Sequence, residues 1–111
     1  MQTKAFTGVA ATTQVLSEAT LGFDPTPYSF FYIQVLGADT ETWQVKCQVP
    51  GGGQYAAIDG PSTTLPIPGS VVIGPNHVAN VGELQVAFTG GTPTDATILV
   101  MALNRPGMGQ R

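Results

Sequence analysis

The sequence predicts an all-β fold: one domain built as an antiparallel β-sandwich of six to nine short strands, with no helix longer than about a turn. Three observations lead there. Several runs alternate apolar and polar residues with the period of two that a half-buried strand requires. The 14 Gly and 9 Pro residues are spread between these runs, so they punctuate many short elements. Turn signals recur at short, regular spacing, as in sandwiches and barrels. The 111 residues make one domain. A chain of that length buries roughly 65% of its unfolded surface and needs no metal or disulfide to fold.

Residues 1–16 hold two short strand candidates. Lys4–Val9 is anchored by Phe6, and Thr12–Leu16 ends in Val15-Leu16. Ser17-Glu18-Ala19-Thr20 suits a helical turn that nothing downstream sustains. Gly-Phe-Asp-Pro-Thr-Pro at 22–27 breaks regular structure and delivers the chain extended. Tyr28–Val49 is the hydrophobic hub and contains the only Trp. In its second run Trp43, Val45, Cys47 and Val49 alternate with Gln44, Lys46 and Gln48, the pattern of a half-buried strand. In its first run Phe31, Ile33 and Val35 take one face, while Tyr28, Phe30, Tyr32 and Leu36 take the other. The second face is broken by Gln34, so both faces are largely apolar, and the strand is central or its second face is covered. If the domain itself does not cover it, the patch needs a neighbouring subunit. The turn formers of Gly37–Thr42 predict an antiparallel hairpin between the two runs.

Pro50-Gly51-Gly52-Gly53 allows a tight reversal into a short strand at Gln54–Ile58. Pro66, Pro68 and Pro75 bracket Val71-Val72-Ile73, which reads as an edge strand or an extended loop because Pro cannot donate to a ladder. Glu83–Thr89 alternates, with Leu84, Val86 and Phe88 on one side. Ala96–Leu103 is nearly continuous in apolar residues and reads as a strand covered on both faces. The expected core joins the Phe31, Trp43 and Leu84 faces with part of the Ile98 strand. Residues at about 1–5 and 104–111 are expected to be flexible arms.

Charge is the unusual feature. Charged residues are 10% of the chain, against about 25% in a typical soluble domain. Neutral polar residues take their place, which suits a surface packed against copies or partners. Lys4, Lys46, Arg105 and Arg111 are the only basic residues, and the net charge is −3. Without a basic patch, nucleic-acid binding is set aside. The N-terminus lacks a continuous apolar signal region and no run reaches transmembrane length, so the expectation is synthesis in the cytoplasm with no membrane partner. The single Cys, Cys47, lies on the apolar face of its strand and reads as a small hydrophobe.

Each candidate for chemistry has a plainer reading. His77 is the only His and has no nucleophile or further ligand at metal spacing nearby, so it reads as a loop residue. Gly51-Gly52-Gly53-Gln54-Tyr55-Ala56 fits a relaxed dinucleotide pattern, but Asp59-Gly60-Pro61 stops the helix that such a site needs. Asp24, Asp39, Glu41, Asp59 and Asp95 are loop carboxylates; gathered at one end of a sandwich they would form an acidic cluster, and otherwise they cap turns. Tyr28, Tyr32, Trp43 and Tyr55 would suit sugar stacking if exposed together, and core packing otherwise. The reading is a non-enzymatic protein with no catalytic residue, cofactor, metal or small-molecule substrate.

One resemblance goes further. From Ile33 to Ile58 the chain runs as a strand, the acidic turn Asp39-Thr40-Glu41, Thr42-Trp43-Gln44-Val45, a Gly-rich loop and a short strand. Together with the low charge and the Thr, Gly and Gln richness, this resembles the small all-β virion proteins of tailed bacteriophages, in particular head decoration (cement) proteins. The resemblance covers about a third of the chain. It implies a jelly-roll or immunoglobulin-like sandwich, often a homotrimer. Such a protein sits on the capsid exterior of the virion, bound to the shell of major capsid protein, and stabilises it. The contacts expected on this reading lie in the terminal arms, at Lys4 and Phe6 and at Arg105, Met108 and Arg111, with the Pro66–Pro75 segment as a further candidate. The alternative is a phage tail or fibre β-module that binds host glycans or other virion proteins.

Overall fold

The computed structural model describes residues 1–38, 40–48, 54–57, 64–74 and 83–104. Among them are eight strands: β1 (Gln2–Val9), β2 (Thr13–Leu16), β3 (Phe30–Leu36), β4 (Thr42–Gln48), β5 (Tyr55–Ala57), β6 (Gly69–Ile73), β7 (Glu83–Thr89) and β8 (Ala96–Leu103). One four-residue helix, α1 (Glu18–Leu21), falls on the expected helical turn. It ends at Gly22, whose φ of 82° is a conformation glycine tolerates best, and it buries Leu21. The strands form two antiparallel four-stranded sheets, ordered β1-β8-β3-β6 and β2-β7-β4-β5. Strands one and eight, two and seven, three and six, and four and five are all paired antiparallel. A long folded-back ribbon wrapped into two sheets gives this order, so the sandwich is a jelly roll and not an immunoglobulin-type arrangement.

The core is the one the alternation predicts. Phe31, Ile33 and Val35 of β3 face Trp43 and Val45 of β4, with Leu84, Val86 and Phe88 of β7, Ile98 and Val100 of β8, and Ile73 of β6. Fully burying one such side chain stabilises by about 1.5–3 kcal/mol. Trp43 has no exposed surface. Its backbone pairs with Leu65, and its indole Nε1 donates to the Pro66 carbonyl at 2.8 Å. The chain thus leaves the edge of β4 at Leu65 and reaches the edge of the first sheet at β6. Gly69 makes that step possible: a Cβ there would lie 2.5 Å from the Pro66 carbonyl oxygen.

The structure corrects three expectations. First, β3 and β4 are not a hairpin. They lie in different sheets, so the chain crosses the sandwich between Leu36 and Thr42. Both strands direct an apolar row at the same core from opposite layers, and turn-forming residues serve a crossing as well as a hairpin. Second, residues 2–5 are not a loose arm: they pair with Leu99–Ala102 along β8. An edge strand needs backbone partners on one side only, so its low apolar content is no obstacle. At the other end Asn104 is also held. Its Oδ1 accepts from the Ser29 N–H at 2.8 Å and hydroxyl at 2.5 Å, and its Nδ2 donates to the Pro27 carbonyl at 2.9 Å. Third, β8 is buried on one face alone. Ala96, Ile98, Val100 and Ala102 are buried, whereas Thr97, Leu99, Met101 and Leu103 are half-buried.

Candidate interaction surface

Register fixes which side chains share the outer face of the first sheet. Thr3, Met101, Tyr32 and Val72 form one row across β1, β8, β3 and β6. Ala5, Leu99, Gln34 and Ser70 form the next. Phe30 with Leu103, and Leu36 with Thr97, extend the face at either end. None of these residues is charged. Tyr32 is 41% exposed and Val72 44%. Phe30 is buried yet lies outside the core cluster. A shallow depression of about 430 Å³ opens on this face, with Ala5, Tyr32, Gln34, Leu99 and Met101 around it and Lys4 of the β1 edge at its border. Such a surface lacks the acid, base and ligand groups of a reaction site. Its chemical capacity is to bury apolar area against another surface.

The outer face of the second sheet is different. Thr42, Gln44, Lys46 and Gln48 of β4 stand opposite Thr89, Ala87, Gln85 and Glu83 of β7. The hydroxyls of Thr42 and Thr89 are 2.5 Å apart in a hydrogen bond. The Tyr55 hydroxyl donates to Oε1 of Glu83. Burial, with the Glu83 acceptor and its charge adding to it, pushes the Tyr55 phenol from 10.0 up to about 12.

The expected contact residues are placed in part. Lys4 and Phe6 lie on β1, opposite Val100 and Ile98. They belong to the inward row, at the open side of the sandwich between β1 and β2. The Lys4 Nζ sits 5.6 Å from the Phe6 ring centroid, a cation–π contact, and Phe6 packs against the core. Both line a second open groove, of about 520 Å³, with Val9, Gln14 and Thr20. Arg105, Met108 and Arg111 lie outside the described residues, as do His77, Asp39, Asp59 and Gly51–Gly53. In the Pro-flanked segment, β6 is an edge strand as the bracketing prolines predict.

The carboxylates that are described do not gather. Glu41 and Asp95 lie in the β3–β4 and β7–β8 connections, while Asp24 lies in the β2–β3 connection at the other end of the sandwich. Asp24 is exposed and accepts from the Thr26 N–H at 3.0 Å and hydroxyl at 2.8 Å, which lowers its pKa. Among the described residues no group of three or more His, Cys, Asp or Glu side chains is placed to hold a metal ion. The aromatics separate as well. Trp43 is core, Tyr28 packs edge-on against Phe23 at 5.9 Å, Tyr55 is on the second sheet and Tyr32 on the first. No shared stacking platform results. Cys47 is a free, half-buried thiol packed against the core.

Sequence reasoning raised the second face of β3 but missed its continuation through Leu99, Met101 and Val72. The doubly apolar run Ala96–Leu103 carried the signal. Read as a strand covered on both faces, it equally describes a strand with one face in the core and one in an interface.

Against known proteins, the sequence matches no family model and no curated protein. The fold is similar to the crystal structure of SPBc2 prophage-derived protein YomS, with a TM-score of 0.59 at 13% identity, over 91% of this chain and 92% of that one. At that identity the likeness establishes the shared β-sandwich architecture end to end.

Proposed function

We propose that this chain is a bacteriophage virion structural protein: a non-enzymatic decoration (cement) protein on the capsid exterior that binds the assembled shell of major capsid protein and stabilises it. The observation that carries the reading is the jelly roll itself, which shares its architecture with a prophage-derived protein along nearly its whole length. The sparse charge supports it, since charged residues are depleted at the cores of protein interfaces. The mechanism is linkage. A protein that binds only the assembled shell stabilises it in proportion to occupancy, and repeated sites add avidity.

The contacts proposed are Lys4 and Phe6 at the open side of the sandwich, with Arg105, Met108 and Arg111 beyond β8. Co-sedimentation with expanded, DNA-free phage heads tests the reading. Saturable binding that raises the temperature of shell disruption is expected. Absence of binding overturns the reading. Deleting residues 105–111 then tests the tail contacts, which unchanged binding would exclude.

A further inference from the structure

The outer face of the first sheet is built for a partner, and its composition says which kind. Its outward rows contain no charged side chain; the nearest, Lys4, belongs to the inward row of the edge strand β1 and borders the depression. A charged or strongly polar partner would have to give up hydration with nothing ionic in return. A second uncharged face meets no such penalty, and the one such face available by construction is the same face on another copy. We infer that two copies of this chain pack through this surface, sheet against sheet, about a twofold axis.

The area is consistent with that pairing. Four strands about 4.8 Å apart and seven residues advancing about 3.3 Å each cover a footprint of roughly 440 Å², before side-chain relief is added. Two copies therefore contribute on the order of 900 Å² of plan area, and corrugation brings the buried surface towards the lower part of the range of about 1,200–2,000 Å² for stable interfaces. Tyr32 and Val72 lie in one cross-strand row with Met101, and in the pair they fill the space between sheets. A single self-complementary patch closes as a twofold pair, whereas a threefold ring needs two different patches on each copy.

The inference concerns the isolated chain and does not rest on binding to a shell. Sedimentation equilibrium of the purified full chain, with no heads present, tests it. The expected mass is that of two chains, falling to one on dilution. Val72→Lys places an unpaired charge in the interface and is expected to weaken association at least about tenfold. Tyr32→Ala is expected to weaken it in the same direction, whereas Thr13→Lys, on the outer row of the second sheet, leaves it unchanged. Circular dichroism of each variant establishes that the sandwich is intact. The mass of one chain at every concentration, the mass of three chains, or association that both Val72→Lys and Tyr32→Ala leave intact overturns the inference. A monomer that still co-sediments with heads would overturn it while leaving the decoration reading standing.

Discussion

The two sheets of the sandwich share a core and a strand count, yet their outward faces differ in kind. The second sheet turns Thr42, Gln44, Lys46 and Gln48 outward from β4. The first turns Leu99, Met101 and Leu103 outward from β8 and Tyr32 from β3. The second sheet shows that a polar outer row, Lys46 included, is compatible with this architecture. The outer row of the first sheet on its two central strands, apolar apart from Gln34 on β3 and Thr97 on β8, is the surface on which the proposed pairing rests. Low charge alone would not have led there, because both outer faces are poor in charge.

The comparison breaks most directly at two adjacent residues of β3. Ile33 is fully buried in the inner row and Tyr32 is 41% exposed in the outer one. Ile33→Ala is expected to lose about 2–5 kcal/mol of stability to lost transfer energy and a cavity. Tyr32→Ala is expected to lose below about 1 kcal/mol in dilute solution, as exposed sites do. Denaturant unfolding measures both. Equal losses would mean that the outer row is core in the isolated chain and that the contrast between the sheets is mistaken.

A smaller effect is expected where the chain steps from one sheet to the other. Gly69→Ala brings a Cβ to 2.5 Å from the Pro66 carbonyl oxygen, so the backbone must move. The expected loss is about 1–3 kcal/mol, the usual range for overpacking. Because β6 carries Val72, the substitution should also weaken pairing of the outer faces, which sedimentation would read separately from thermal unfolding. A variant as stable as the parent would show that this crossing is looser than the hydrogen bond between Trp43 and Pro66 indicates.

Much of this fold was legible in the residues. Period-two alternation placed β4 and β7, and the prolines placed β6 at an edge. What escaped was non-local. The polar turn after Leu36 is chemically the same whether it closes a hairpin or crosses a sandwich, and the wrapped pairing of β3 with β6 and β8 decides between them. Gln2-Thr3-Lys4-Ala5 carries little apolar signal because backbone pairing with β8 orders it. The candidate surface was half legible for the same reason. An apolar side chain pointing away from the core looks the same in sequence whether another element or another molecule covers it, so Tyr32 raised the question while Leu99 and Met101 passed as core.

The smallest effect probes the polar face. Tyr55 donates to Glu83 across the outer row of the second sheet, flanking Gln48, and its phenol is held up to about 12 from 10.0. The fold therefore favours the protonated phenol. A raised folded-state pKa contributes stability that is fully present below pH 10.0 and is lost as pH climbs towards about 12. Tyr55 is only half-buried, so solvent screening keeps the contribution below about 1 kcal/mol. Tyr55→Phe removes the donor and the titration together. Its stability should lie slightly below the parent's at neutral pH, and the gap should close across the alkaline window, because only the parent has the hydrogen bond to lose. A gap that stays constant up to the alkaline end would place the Tyr55 effect in packing and not in the bond to Glu83, and the polar face would then be held by side-chain contacts of the same kind as the apolar one.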